Sequence, residues 1–589
     1  MTRYHQGFLC LLFAFLIHPA WLAADQPTNI ILIMTDDQGI GDLGVMGNPV
    51  IETPHIDGLA SQSTWLTNFY VHPVCAPTRA CLMTGRYNYR TRAIDTYIGR
   101  AMMEPAEVTI AEVLGDHGYA TGVFGKWHLG DCYPMRAIDQ GFDQAVIHRG
   151  GGIGQPSDPL DARRQYTDPI LMRNGQEEQF EGYCTDIYYD EAMKFIDRAG
   201  ESGQPFFVYL PDNTPHGPFH DVPEDLYEHY REMNISREMF GKQSGHAFGD
   251  PDPDFLARVY AMIGNVDRNV GRLLDKLDRD GLADDTIVIF MCDNGPNSGR
   301  FVRGMRGNKS SVYEGGIRSP MFIRWPGQFT AGREVEQIAA HIDLMPTLLA
   351  CAEALVPDDI SLDGRNLLPL LRDEAVDWPD RHIVIQSHRG NQPTRYHHFA
   401  LRNQRWKLLH HSGFGKERFE GEPRLELYDM STDPLEQHNI AEQHPEVVDE
   451  LKQAYDDWFD DVGSTRPDNY APPRIVIDPE HENPLVLTRQ DWRRSDQRGW
   501  GNRGYWLIET TEPVSIVVQC RLLDDNPADS VRLIISGQPT LDSPTDESKI
   551  MAEFRDVKLE PGQYEISTEA THGDEIVGAY QLFITSRSD

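Results

Sequence analysis

Four apolar runs dominate the first half of the chain, and ionisable residues follow each of them. They are Asn29-Ile30-Ile31-Leu32-Ile33-Met34, Ala120-Thr121-Gly122-Val123-Phe124, Phe206-Phe207-Val208-Tyr209-Leu210 and Thr286-Ile287-Val288-Ile289-Phe290-Met291. Unbroken runs rich in β-branched and aromatic residues fit strands covered on both faces, as in a parallel sheet. Helical patterns lie between them. The stretch from Pro105 to Gly118 has proline at its start and glycine past its end. From Asp254 to Asp280, Leu256, Val259, Ile263, Val266, Val270, Leu273 and Leu277 recur at helical spacing. This alternation predicts an α/β fold with a mainly parallel central sheet.

The residues after the four runs are Asp36 and Asp37, then Lys126 and His128, then Asp212, Asn213 and His216, then Asp293 and Asn294. In doubly wound sheets, ligands bind outside the carboxyl ends of the strands. Turns and caps account for Asp and Asn one at a time. They do not account for Lys and His at the same edge. Asp36, Asp37, Asp293 and Asn294 offer oxygen and neither sulfur nor imidazole. Such donors suit Ca²⁺ or Mg²⁺ and argue against zinc. A bound cation also offsets the repulsion among three converging carboxylates.

The chain of 589 residues carries 54 Lys+Arg against 91 Asp+Glu, a net charge of −37. Such a surface repels nucleic acid, so an anionic substrate requires positive charge gathered locally. The segment from Arg300 to Lys309, with four cations and no acid, reads as that positive rim. At the N-terminus, Arg3, the apolar run Phe8 to Ile17 and the small residues Ala20, Ala23 and Ala24 read as a secretory signal peptide cleaved near Ala24. The expectation is export to the periplasm or the extracellular space, without stable membrane insertion.

Residues 25–378 read as the catalytic domain. After Trp378-Pro379-Asp380, four short strands and a helix from Pro445 to Phe459 read as a smaller antiparallel subdomain, residues 379–463. A Pro-rich polar linker, 464–474, leads to alternating strands in 475–589 that read as an accessory β-sandwich-like domain. In it Trp492, Trp500, Tyr505 and Trp506 are either core or a sugar-stacking face. Seven cysteines follow the leader, an odd number, so at least one thiol lies outside any internal bridge. Cys81, Cys132, Cys184, Cys292, Cys351 and Cys520 form no Cys-x-x-Cys pair and read as core thiols or occasional bridges.

Cys75 stands apart. It opens Cys75-Ala76-Pro77-Thr78-Arg79, continuing through Leu82-Met83-Thr84-Gly85. Pro77 and Thr78 are good helix openers, which sets Cys75 at or just before a helix N-terminus, where the dipole and Arg79 favour negative charge. The run resembles the signature of the type I, formylglycine-dependent, arylsulfatase-like sulfatases. Gly118 to Gly130, Thr35-Asp36-Asp37, Pro215 to Phe219, Cys292 to Gly295, and Lys309 before Tyr313 to Arg318 match further family motifs, in family order over about residues 28–460. Thr78 stands where many members carry Ser.

The resemblance implies an alkaline-phosphatase-like fold and hydrolysis of a sulfate monoester, from a sulfated small molecule or a sulfated polysaccharide. It implies that a maturation enzyme oxidises Cys75 to formylglycine, and that Asp36, Asp37, Cys75, Asp293 and Asn294 hold one calcium ion, with Mg²⁺ as the alternative. Arg79 is implied to fix the formylglycine hydrate. Lys126, His216 and Lys309 are implied to grip the sulfate, and His128 to serve as the base that regenerates the aldehyde. Two rivals compete with this reading: a two-zinc phosphoesterase of the same superfamily fold, and a non-catalytic binding protein on the same scaffold. The first needs several His ligands that the Asp/Asn set does not offer. The second leaves unexplained why every catalytic position is filled.

Overall fold

The computed structural model describes residues 28–159, 162–240, 252–466, 470–494 and 499–586. The expected signal peptide and part of the expected linker lie outside the described residues. Among the described residues, no helix is long and apolar enough to cross a membrane.

The strands that position the site are β1 (Asn29–Thr35), β2 (Ala120–Lys126), β3 (Gln144–His148), β4 (Phe206–Pro211), β5 (Thr286–Cys292) and β6 (Met321–Arg324). They run side by side in the order β6-β5-β1-β4-β2-β3 within a ten-stranded sheet. From β5 to β3 all neighbours are parallel, and β6 is antiparallel to β5. Each apolar run serves both faces. Ile30, Leu32 and Met34 of β1 enter one core, whereas Ile31 and Ile33 enter the other. In β5, Ile287, Ile289 and Met291 divide from Val288 and Phe290 in the same way. A period of two with no polar face is the result of burying a sheet on both sides.

Four helices matter most here: α1 (Cys75–Thr84), α2 (Ile110–Asp116), α3 (Cys184–Ser202) and α4 (Pro253–Arg279). The predicted helix at 105–118 is shorter than expected. Thr109 and Glu112 form a reciprocal capping box, and that cap, not Pro105, starts α2. At α4, Asp252 caps the end by accepting from the Phe255 N–H, and Pro253 occupies the first turn.

A four-stranded antiparallel sheet follows: β7 (Ile383–Gln386), β8 (Phe399–Arg402), β9 (Trp406–His410) and β10 (Glu426–Asp429). The helix α5 (Pro445–Gly463) packs Leu451 and Tyr455 onto it. Beyond lie a seven-stranded and a four-stranded sheet closing over a common apolar core. Trp492 and Trp506 are wholly buried in that core. The core also takes in Ile98, Met102, Cys132 and Met135 from the N-terminal region, so the sandwich is packed firmly against the α/β layer. All seven cysteines among the described residues are free and buried.

Candidate active site

Register alone sets the acidic residues side by side. Thr35 of β1 pairs with Cys292 of β5, so the next residues, Asp36 and Asp293, leave adjacent strand ends together. Backbone hydrogen bonds carry the alignment past the strands: Asp293 N–H donates to Thr35 O at 3.0 Å and Asp36 N–H to Thr214 O at 3.0 Å. Asp37 takes a left-handed backbone, φ 64°, a conformation that Asp tolerates better than bulkier residues. Its N–H donates to Asp293 Oδ1 at 3.2 Å.

Helix α1 begins at Cys75, with Val74 extended before it. Thr78 ties the helix to β5, donating from Oγ1 to Asp293 O at 2.8 Å and accepting from His72 N–H at 3.0 Å. The hydroxyl is what this position uses, and Thr supplies it as Ser would. Arg79 is fully buried and donates to Asp293 Oδ2 at 2.9 Å and to Lys126 O at 2.5 Å. It also lies 3.9 Å from Asp36 Oδ2. One guanidinium thus joins the ends of β1, β2 and β5. Cys75 Sγ and one carboxylate oxygen each of Asp36 and Asp293 fall within 4.8 Å of one another.

The cations contact the same acids. Lys126 donates to Asp36 Oδ2. Lys309 donates to Asp37 Oδ1, which also accepts from Asn294 Nδ2 at 2.8 Å. Burial opposes ionisation of Asp36, yet Lys126, His216, Arg79 and Lys309 hold its carboxyl well below the usual range. Burial and the neighbouring Asp36 push Asp293 up, against the pull of Arg79 and Lys126. Burial also works against the charged form of Lys309, but Asp37, Cys75, Asp36 and Asp293 outweigh it and raise its pKa. Burial raises the Cys75 thiol despite Lys126 and Lys309.

These acids fit a hard cation. Asp36 Oδ1, Asp37 Oδ2 and Asn294 Oδ1 are buried oxygens without a hydrogen-bond partner. Leaving three such acceptors unpaired is costly unless a ligand satisfies them. The donor chemistry is that of Ca²⁺ or Mg²⁺.

Two histidines complete the cluster. His128, with φ 60°, directs Nε2 to Thr96 O at 2.7 Å. A carbonyl only accepts, so Nε2 carries the proton, and Nδ1 is left bare, buried and without a partner. Burial, then Lys126 and Arg79, lower the His128 pKa well below its ordinary value and keep the ring neutral. Gly151 lies against this ring: a Cβ there would stand 2.6 Å from His128 Nε2. His216 donates Nδ1–H to Gly217 O at 2.9 Å, and burial lowers its pKa.

The expected positive rim at 300–309 is not formed as such. Arg306 lies 3.8 Å from the centre of the Tyr313 ring and 3.3 Å from Glu426, and Arg303 covers Trp65. Arg300 is wholly buried. Of the four cations, Lys309 alone pairs with a carboxylate of the cluster. The stretch is cationic because each arginine supports a different neighbour, which composition cannot distinguish from a solvent-facing rim.

Arg300 is the supporting residue that sequence reasoning misplaced. It donates to Asp42 Oδ2 at 2.6 Å and to the backbone oxygens of Asp37 and Gln38, so it braces the loop that carries two site acids. Burial pushes the Asp42 carboxyl up to about 7 against the pull of Arg300. Arg300→Met is expected to lower unfolding free energy by about 3 kcal/mol, because it strands a buried carboxyl and two carbonyls. Urea denaturation measures this. A change within about 0.5 kcal/mol, ordinary for a surface site, would remove Arg300 from the account.

An α/β sheet that gathers a cysteine at a helix start, acids, lysines and histidines at its carboxyl edge defines a hydrolase centre for an anionic ester. Comparison with known proteins agrees. Residues 28–354 match the family described as Sulfatase, and residues 307–459 match the one described as N-sulphoglucosamine sulphohydrolase, C-terminal. Human arylsulfatase A is 33% identical over 488 residues, covering 74% of this chain and 88% of its own. Human N-acetylgalactosamine-6-sulfatase is 32% identical over 390 residues, covering 60% and 68%. The crystal structure of Ps i-CgsB in complex with k-i-k-neocarrahexaose superposes with a TM-score of 0.63 at 29% identity, covering 74% of this chain and 93% of that one. The chain belongs to the sulfatase family. It is a sulfuric ester hydrolase with the alkaline-phosphatase-like fold of its structural neighbours.

Proposed function

We propose that this sulfatase is exported, is converted to formylglycine at residue 75, and releases sulfate from a sulfated carbohydrate or aryl ester with one bound calcium ion. The observation that carries the reading is the meeting of Cys75, at the start of α1, with Asp36 and Asp293 within 4.8 Å, beside three unpartnered buried oxygens. The leader-like residues 1–24 support export. Relatives such as the human N-acetylgalactosamine-6-sulfatase support a sugar sulfate as substrate.

Asp36, Asp37, Asp293, Asn294 and the converted residue 75 would hold the ion, which would act as a Lewis acid and lower the pKa of the attacking hydroxyl. A hydrated formylglycine would supply two hydroxyls, one to attack sulfur and one from which elimination returns the aldehyde. Arg79 orients residue 75 from the next helical turn. Lys126 and Lys309, anchored on Asp36 and Asp37, supply positive charge where the sulfate oxygens carry negative charge during attack. His128 has the proton inventory of a base, since Nε2–H is spent on Thr96 and Nδ1 is bare. His216 keeps its proton on Nδ1 for Gly217 O, so a lysine is the better donor to the leaving alcohol and His216 a sulfate neighbour.

Chelation of the matured enzyme is expected to abolish release of nitrophenol from nitrophenyl sulfate and to lower Tm, because the ion binds the folded state. Added Ca²⁺ or Mg²⁺ is expected to restore both. Restoration by Zn²⁺ alone would mean that the ligand set is wrong.

A further inference from the structure

Beside His128 lies a second group of charges that the sulfatase chemistry does not use. Arg100, Arg389, Arg493 and Arg494 gather there from three parts of the chain. Arg100 and Arg389 both pair with Asp95, Arg494 pairs with Glu417, and Arg100 lies 3.9 Å from Glu417. Arg493 donates to Asn391 and Ile98 O, and no ion pair joins it to a carboxylate among the described residues. Among the described residues, three of these guanidinium groups therefore share two carboxylates and Arg493 pairs with neither, in a chain whose net charge is −37. Burial, and after it Arg100, lower the Arg493 pKa to about 10.

The group is physically tied to the candidate active site. Arg389 donates to Thr96 Oγ1 at 2.9 Å, and Thr96 O is the partner of His128. Gln490 of the sandwich also donates to Thr96 O, at 3.2 Å. Two partly buried aromatic rings, packed at the margin of the sandwich core, adjoin the arginines. Tyr97 and Trp500 meet edge to face at 5.1 Å between ring centres, and Arg389 lies 4.3 Å from the centre of Tyr97. Of the sandwich tryptophans, Trp492 and Trp506 are core, whereas Trp500 is turned to this junction.

We infer that this junction is a subsite for a second oxyanion on a sulfated oligosaccharide, with the sugar ring against Tyr97 and Trp500 and its carboxylate or sulfate on the arginines. The inference rests on the sulfatase reading and gives it a substrate class: a polyanionic glycan, not an isolated monosulfate. Planar guanidinium groups match carboxylate and sulfate oxygens in pairs, and flat aromatic faces suit sugar faces. The excess of arginine over acid supplies locally the attraction that the whole protein's field denies.

The test compares three disaccharides on matured enzyme: a monosulfated neutral one, a monosulfated one bearing a uronate carboxylate, and a disulfated neutral one. Wild type is expected to favour at least one polyanionic disaccharide by about tenfold in kcat/KM, the scale of one charge-assisted hydrogen bond. The favoured arm identifies the anion. Arg493→Gln is expected to reduce that preference to within about twofold. No preference in wild type, or a preference that survives Arg493→Gln, overturns the subsite. If no disaccharide releases sulfate, the catalytic reading fails first, and calorimetric binding of the same three decides the subsite by the same ratios. Trp500→Ala gives a second readout should Arg493→Gln not fold: weaker binding of all three supports the stacking face, and unchanged binding overturns it.

Discussion

Cys75→Ala is expected to lose sulfate release by at least about 10⁴-fold, the scale of removing a covalent nucleophile. The more informative replacement is Cys75→Ser. Its single hydroxyl sits at the same helix start, above the same acids and beside Arg79. It can attack sulfur, but it has no second hydroxyl from which elimination could expel the sulfate. Water would then have to attack the sulfur of an enzyme-bound ester, in a site whose charges are arranged around residue 75. One equivalent of alcohol per enzyme, followed by arrest, is the expected course, read by rapid mixing with nitrophenyl sulfate. Steady turnover of Cys75→Ser at the wild-type rate would refute the need for two hydroxyls. Circular dichroism separates this result from misfolding.

Loss at His128 and loss at the two lysines are expected to differ in kind. In the proposed cycle the lysines stabilise charge as the sulfur is attacked, so Lys126→Ala and Lys309→Ala should each slow the first step by about 10²–10³-fold, the scale of removing one preorganised donor. Neither should give a burst. His128→Ala removes the bare Nδ1 and leaves the lysines on Asp36 and Asp37. It should release one equivalent of alcohol and then slow by about 10²–10⁴-fold, the range of general base catalysis. Equal, burst-free losses in all three variants would end this division of labour while leaving the family membership intact.

What the sequence shows of this site depends on how local each signal is. The strand ends at Asp36, Lys126 and Asp293 are legible because a strand buried on both faces carries no ionisable residue until its carboxyl end. Cys75 at a helix start is legible from Pro77 and Thr78 within one turn. The fate of Arg300 is not legible, since its partner Asp42 is 258 positions away and a buried arginine looks like an exposed one in composition. The role of Thr96 rests on a backbone oxygen, which carries no sequence signal at all. The sandwich strands are legible from alternation, but the sharing of their core with Ile98, Met102, Cys132 and Met135 is not, because apolar residues do not announce their partners. Trp500 illustrates the same limit: only its position beside Tyr97 distinguishes it from the buried Trp492 and Trp506.

In the proposed cycle residue 75 acts only after conversion, and setting the degree of conversion against rate measures this directly. Protein prepared with and without a formylglycine-generating enzyme gives batches of graded conversion, each quantified by mass spectrometry of the tryptic peptide ending at Arg79. The rate of nitrophenyl sulfate hydrolysis per mole of protein is expected to rise in proportion to the aldehyde fraction and to extrapolate to zero for the thiol form. Full activity in a batch whose residue 75 is entirely cysteine would contradict the account.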